Sequence, residues 1–544
     1  MAKEPQAETG RRDALRGFAH IGAGTLVSRL SGFAREVTTA AFFGAGTAMD
    51  VFVAAFTIPN LLCRILGETA LESAFMPFFK GIHARGAAGR AWRLAGNTAF
   101  ALVLVLIAIV VVGIAAAPLL VEIVAHGFTG DVAASTVRMT RLMFPFGLLI
   151  GLAALMGSIL LAFRRYRVYS LAPVLLNVGI IGAVVGLSRR LDVVSLAVGV
   201  LLGGLLQFLV QVPFAARLAR ADGSGLFARR PSLRDEDVRQ VGRLAGPVVV
   251  ASAIQRVGVI VDRTIASFLA PGSISSLYYA FRLVHLPYAI LALAAGRAVA
   301  PDMAERYALG ESDGFRRSLL EGLRMNVVSL VPVVVLSVWY ARPVVGLVYE
   351  RGAFDATDLA MTSSAFALYA VGLVSMGFVF VLVRGFAARL DTRTPVRISL
   401  LAFVANVVLN LVLVRTPLRH AGLALASSLA FTIHAAVLYG IMNRRLACDG
   451  VPIGTAEIAG PFLRCIVAAG ALAAAVWAAD LWTGPHLAGN LFVGRLARIA
   501  AGSAAGGVAY IAVGALLGIE EIRRVLARVA RRRATAGGGR RGGS

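Results

Sequence analysis

Three charged side chains stand inside the first long apolar stretch of the chain: Arg29, Arg35 and Glu36 of "SRLSGFAREVTTAAFFGAG". Arg64 follows in "TIPNLLCRILGE", and Arg256, Arg263 and Arg282 lie in two later apolar stretches. On insertion scales an arginine at the centre of a bilayer costs about 2.5–3.5 kcal/mol, so these six need counter-charges, water or a ligand. One arrangement pairs them with Glu36, Asp50, Glu68, Glu72 and Asp262 as structural ion pairs. Arg29 and Glu36, seven apart and so on one helical face, suit that arrangement. The other starts from the count: arginines outnumber acidic partners, and the planar guanidinium fork grips phosphate oxygens bidentately. A cavity with surplus arginine points to a polyanionic substrate.

The elements that position these residues must be membrane helices. Of 544 residues 58% are hydrophobic and 15% charged, and the mean hydropathy is +0.79, too few polar residues to cover a soluble globule. The expected fold is an all-α polytopic membrane protein with about 14 transmembrane helices, each a run long enough to cross roughly 30 Å of hydrocarbon. The first three are read at 18–43, 49–78 and 94–124, the seventh at 244–270, and the last two at 460–482 and 491–519. With the N-terminus in the cytoplasm, 37 Lys/Arg fall on the cytoplasmic side, 10 outside and 7 within helices, a strong positive-inside asymmetry. Loop arginine of this kind accounts for the net charge of +25 without nucleic acid, which is excluded as a partner. The loop 220–243 and the basic tail instead meet anionic lipid headgroups. Cys63, Cys448 and Cys465 are too few and scattered for a disulfide framework or a zinc site. The N-terminal apolar segment is too long and too charged for a cleavable signal and reads as the first retained helix.

A shift of 228 residues matches Arg35 with Arg263, Gly44 with Gly272 and Pro59 with Pro287; a shift of 229 matches Ser170 with Ser399 and Asn177 with Asn406. The chain therefore reads as a duplicated six-helix unit. An even helix number keeps both copies in one orientation, giving two parallel lobes around a central cavity with two further helices at the C-terminus. The expected division is an N-tail at 1–17, an N-lobe at 18–219, a cytoplasmic linker at 220–243, a C-lobe at 244–446, two helices at 460–519 and a basic tail at 520–544.

Chemistry that breaks or forms bonds finds no support. Neither lysine, Lys3 nor Lys80, is followed by Ser or Thr, so a phosphate-binding P-loop is absent. No histidine falls in H-E-x-x-H. One G-x-S-x-G occurs in "GESDG" at Gly310–Gly314, in a polar loop between apolar runs and without the strand that a nucleophile elbow requires. The chain is expected not to be an enzyme.

The stretch "SRLSGFAREVTTAAFFGAGTAMDVFVAAFTIPNLLCRILGETALESAFMPFF" resembles the N-terminal signature of the MurJ (MviN) family of lipid II flippases. That family belongs to the multidrug/oligosaccharidyl-lipid/polysaccharide exporter superfamily. "DRTIASFLAPGSISSLYYAFRLVHLP" is similar to its seventh-to-eighth helix segment and "GLALASSLA" to its twelfth helix, and the likeness runs over essentially the whole chain. It implies flipping of lipid II, an undecaprenyl-pyrophosphate disaccharide-pentapeptide, across the bacterial cytoplasmic membrane with both termini in the cytoplasm. The family's cavity residues then fall on Ser28, Arg29, Arg35, Asp50, Arg64, Glu68 and Arg282, with Arg29 and Arg35 holding the pyrophosphate. The sequence departs from the family pattern at Glu36, Cys63 and Phe281. The likeness also implies a hydrophobic groove for the polyprenyl tail, formed with the last two helices. In members with a sodium site, the matching positions are Asp262, Asn406, Asn410 and Ser427; the two asparagines, one turn apart, serve equally well as partners for neighbouring backbone. The alternative function is a cation-coupled exporter of drugs or other polysaccharide-lipids in the same superfamily, which calls for carboxylates rather than arginines in its cavity. The implied partners are lipid II and membrane lipids; no residue specifies a cell-wall synthesis or division protein.

Overall fold

Long apolar runs separated by short polar turns leave the backbone one way to satisfy its own hydrogen bonds in lipid, and the chain takes it. In a computed structural model, which describes residues 24–226, 231–486 and 491–527 except Thr25, the described residues form helices and turns with no strand. The expected tail at 1–17 and the end of the tail at 520–544 lie outside the described residues.

Two compact units are formed, one from Met1–Ser275 with Arg351–Asp355, the other from Ser276–Glu350 with Ala356–Ser544. The first holds α1 (26–43), α2 (Thr47–Cys63), a wide π-helical stretch (Arg64–Phe75), α3 (Met76–Ala84), α4 (Ala88–Ala115), α5 (Ala117–Val124), α6 (Gly130–Met143), α7 (Phe146–Ala162), α8 (Tyr166–Leu191), α9 (Val194–Ala221) and α10 (Glu236–Ser267). Its core joins Phe75, Phe79, Trp92 and Leu155, and includes Leu226 after α9 and Val241 in the first turns of α10. α8 and α9 meet backbone to backbone: a Cβ on Gly179 would lie 2.4 Å from the Cα of Gly203. Small residues permit this approach where lipid supplies no hydrophobic drive for association.

α11 (Ser273–Pro287) begins at the unit boundary and leads, through a second wide turn at Tyr288–Ala292, into α12 (Leu293–Ala308), α13 (Ser312–Trp339), α14 (Ala341–Tyr349), α15 (Ala356–Val371), α16 (Leu373–Ala388), α17 (Arg393–Leu413), α18 (His420–Cys448), α19 (Thr455–His486) and α20 (Leu491–Leu516). Phe315, Phe386 and Leu438 centre one core of this unit; Tyr340, Leu472 and Tyr510 centre another, which fastens α19 and α20 to α13.

Ten of the described helices are long and apolar enough to cross a membrane, eleven when α15 and α16, bent by 44° at Gly372, count as one span. The expected fourteen are thus not all found. The span expected at 18–43 lies partly outside the described residues, and the one at 49–78 is interrupted after Cys63 by the π-helical stretch. The one at 244–270 overlaps the 32-residue α10, which ends at Ser267.

The duplication is written in the turns. Thirteen described residues have positive φ, and twelve of them pair across the halves at nearly constant offset: Gly44 with Gly272, Gly86 with Gly310, Gly130 with Gly352, Arg164 with Leu390, Asp192 with Arg419, and Gly223 with Gly450. Only Gly518, beyond the repeat, has no counterpart. The wide helical stretches repeat as well, one after Pro59 and one directly after Pro287.

Candidate functional site

α1 carries its charges against α8. The two helices pack closely at Gly24, where a Cβ would fall 2.0 Å from Ser170 Oγ. One turn and more further along, Asn177 of α8 is buried and bridges back to α1. Its Nδ2 donates to Ser31 Oγ at 2.9 Å and to Ser28 O at 3.4 Å, and its Oδ1 accepts from Arg35 Nη1 at 3.1 Å. Arg35 Nη2 forms an ion pair with Glu36. A guanidinium inside an apolar helix is thereby fixed by two partners at defined nitrogens, while 19% of its side chain remains exposed. The spacing of seven suggested Glu36 for Arg29, yet Arg35 takes the carboxylate. Arg29 is exposed and makes no ion pair among the described residues.

Asp50 has a different setting. Almost fully buried at the start of α2, it accepts from the N–H groups of Gly272 and Ser275 at 2.7 Å each, with the Ser275 hydroxyl also at 2.7 Å. These are the open donors at the entrance to α11, so the carboxylate acts as a cap on a helix that begins 220 residues away in sequence. Two short loops grip nearby helix ends in a matched way. Gly127 N–H donates to Ser267 Oγ at the end of α10, and Ala353 N–H donates to Ala41 O near the end of α1. Neither glycine in these loops tolerates a side chain: a Cβ on Gly127 would lie 2.4 Å from Ser267 O, and one on Gly352 2.1 Å from Ala41 O.

The backbones of Arg64 and Glu68 run in the π-helical stretch; their side chains lie outside what the structure describes. Nearby, Tyr169 of α8 donates to Glu72. Arg282 belongs to the second unit, where its guanidinium sits 5.0 Å from the centre of the Tyr278 ring. Of the positions matched to a sodium site, Asp262 belongs to the first unit and the other three to the second. Asn410 Nδ2 donates to Asn406 Oδ1 at 3.2 Å, and the Ser427 hydroxyl donates to Leu423 O of its own helix. One amide nitrogen is thus turned to the other amide's oxygen, while the Asn410 oxygen takes no part in that bond.

Asn177 and Tyr169 bond the charged groups Arg35 and Glu72 and are not among the site residues expected from the sequence. A signal for Asn177 existed, because the repeat pairs it with Asn406, itself singled out.

The second unit also contains an apolar groove of about 720 Å³ between α13, α15, α16, α18 and α19, lined by residues such as Val335, Val371, Phe378, Tyr439, Phe462 and Ile466. Ser375, Thr432 and Tyr439 bring the only polar side-chain atoms to its wall. α19 supplies one side; α20 packs behind it, with Gly506 set against Leu472 and Val476.

This architecture matches those of solved membrane transporters. It is similar to a solved inward-facing multidrug resistance MATE family transporter of the MOP superfamily, with a TM-score of 0.67 and 14% identity over 80% of this chain and 99% of that one. It is more similar to a solved lipid II flippase MurJ in an inward closed conformation, with a TM-score of 0.75 and 22% identity over 91% and 98% of the two chains. Sequence narrows the class. The family model for lipid II flippase MurJ matches residues 39–498. The probable lipid II flippase MurJ of Haemophilus influenzae is 31% identical over 83% of this chain and 90% of its own length. The lipid II flippase MurJ of Burkholderia cenocepacia is 33% identical over 77% and 82%. The chain belongs to the lipid II flippase MurJ family.

Proposed function

We propose that this multi-pass membrane protein moves lipid II from the inner to the outer leaflet of the bacterial cytoplasmic membrane by alternating access of its two halves. The observation that carries this reading is the family match across residues 39–498, at identities that the drug-exporter likeness does not approach. The local geometry at Arg35 supports it: Asn177 and Glu36 orient that guanidinium, and a planar fork matches phosphate oxygens. Arg29, Arg64 and Arg282 are the further arginines that the family resemblance assigns to the pyrophosphate. Ser28 belongs to the same network through its carbonyl. The apolar groove would take the polyprenyl tail, sparing its hydrocarbon contact with the polar headgroup path. No covalent bond of the substrate changes, so positioning and release are all the protein must provide. The positive-inside asymmetry of the loop charges favours an orientation with both termini, the 220–243 linker and the feet of α19 and α20 in the cytoplasm. The Asp50 cap and the two loop grips, all within the first unit, then lie on the outer side.

The test is complementation of a strain depleted of its own flippase, with lipid II exposure on the outer leaflet as readout and membrane level of each variant as control. Hydrogen bonds to charged groups contribute about 1.5–3 kcal/mol each, so Arg35→Ala, Arg64→Ala and Arg282→Ala should each lower exposure by roughly tenfold to a hundredfold. Lysine at the same positions keeps the charge and loses the fork, and should rescue only in part. Full complementation by the three well-expressed alanine variants would sink the clamp. Failure of the correctly inserted wild type would favour an exporter.

A further inference from the structure

We propose that a pocket at the foot of α13, α19 and α20 binds the phosphate of a phospholipid headgroup. The pocket encloses about 200 Å³ and is lined by Arg324, Pro461, Arg464, Gly518 and the pair Glu520 and Glu521. Two guanidiniums, Arg324 and Arg464, line it, and a third, Arg523, approaches its Gly518 corner. Arg324 donates to Glu457 O at 2.9 Å, Arg464 to Gly518 O at 3.3 Å, and Arg523 to Ala515 O at 2.9 Å. Each is oriented by a backbone carbonyl, and none is in an ion pair among the described residues. Arg464 and Arg523 converge: a point one bond from Gly518 Cα lies 3.7 Å from Arg523 Nη2 and 3.9 Å from Arg464 Nη1. Gly518 can shape this corner because its φ is +75°, a conformation that side-chain-bearing residues avoid.

The acidic side of the pocket does not cancel this charge. Glu520 is bound by Arg524 at 3.1 Å, and Arg524 also meets Glu321 at 3.3 Å. The Glu457 carboxylate is taken by Arg316, which leaves Glu521 opposite Arg324 and Arg464, and the Arg464 and Arg523 guanidiniums near one point suit a phosphate diester. Lipid rather than free phosphate is indicated by the flanks. Leu463 and Leu516, beside the pocket on α19 and α20, are 62% and 81% exposed, as side chains lying along acyl chains would be. The assignment to the inner leaflet rests on the orientation proposed above; the binding itself does not.

The test uses the full-length protein purified in detergent and offered dioleoylphosphatidylglycerol, dioleoylglycerol with the same chains and no phosphate, or inorganic phosphate. Retained lipid is counted by native mass spectrometry and Tm is followed in parallel. The wild type should retain one phosphatidylglycerol with a raised Tm and gain nothing from dioleoylglycerol. Arg464→Ala and Arg523→Ala should each weaken retention at least tenfold, and Glu521→Gln, which removes the opposing carboxylate, should tighten it severalfold. Unchanged retention in both arginine variants overturns the proposal, as does equal stabilisation by dioleoylglycerol. Inorganic phosphate matching the lipid at equal concentration would overturn the lipid as the source. Should the arginine variants fail to fold, unchanged or weaker retention by Glu521→Gln is decisive against it. A variant that loses phosphatidylglycerol but still exposes lipid II in the depleted strain leaves the flippase reading standing, so the two can fail separately.

Discussion

At the scale of single residues, Asn177 makes the difference between an arginine merely tolerated in a membrane helix and one held in place. It touches three groups on α1 through one amide, so Asn177→Ala leaves the Arg35 charge intact and removes its support. The variant should insert normally yet lower lipid II exposure by roughly tenfold, the effect of about 1.5 kcal/mol, with Asn177→Asp rescuing in part because the carboxylate still accepts from Arg35. Exposure equal to wild type in the alanine variant would remove Asn177 from the clamp. The pairing of Arg35 with Glu36 was not legible in the sequence, because adjacent residues on a helix point about 100° apart and periodicity favours partners three, four or seven away. Long, flexible side chains reached around that limit. The sodium question also belongs here. Whether a cation binds at Asp262, Asn406, Asn410 and Ser427 is a question for a thermal-shift measurement. If it does, sodium should raise the Tm of the purified protein, and Asp262→Asn should abolish the rise, since a ligand stabilises only the state that binds it. Equal stabilisation of both proteins by sodium would take Asp262 out of the account.

At the scale of elements, turns are as informative as helices. Gly272 has φ +88° and its missing Cβ would lie 2.4 Å from Ala45 O; Gly223 has φ +68° and open space around it. Both alanine variants carry the left-handed backbone cost of about 1–2 kcal/mol. Only Gly272→Ala also forces the α1–α2 turn away from the Asp50 cap, so it should lower Tm clearly more than Gly223→Ala does. Equal losses would mean the α2–α11 junction gives way freely. The linker at 220–243 is fastened in a way that depends on pH. Arg90 donates twice to Asp237, at 2.7 and 2.8 Å, and holds its carboxyl below the usual carboxylate range against the opposing effect of burial. A carboxyl whose pKa is lower in the folded protein contributes fully above its unfolded value, about 3.9, and loses that contribution as pH falls through the folded one. Hydrogen exchange in 220–243, corrected for intrinsic rate, should be flat from pH 7 to about 5 and accelerate below about 4. Asp237→Asn should show the faster exchange already at pH 7. Helix placement was legible from apolar runs, whereas the interruption after Cys63 was not, because a wide helical turn leaves no compositional mark distinct from an ordinary one.

At the scale of the whole molecule, the duplication visible as a handful of matched residues reappears as six pairs of left-handed turns, a far stricter correspondence than side-chain identity in so apolar a sequence. Sequence identity decays while a turn's required backbone conformation does not, which is why Arg164 and Leu390 occupy equivalent turns with unrelated side chains. Orientation is testable at this scale. Single cysteines at Gly223 and at Gly537, which lies outside the described residues, should resist an impermeant thiol reagent in intact cells, and one at Gly130 should label. Labelling at Gly223 from outside would invert the topology and move the Asp50 cap to the cytoplasm.

The loop joining the two repeats is stitched down at both ends to one hairpin. Before it, Asp222 receives Trp92 Nε1 at 2.8 Å and meets His83 at 2.9 Å; beyond 231, Asn97 holds Ser232 and Asp235, and Arg90 holds Asp237. Leu226 and Val241 are buried in the same core. The four residues between Leu226 and Pro231 therefore join two segments that already share a docking surface, and their loss would cost mainly the advantage of a high local concentration. The protein should survive as two separately translated pieces, 1–226 and 231–544, that find each other in the membrane and together restore growth to a flippase-depleted strain.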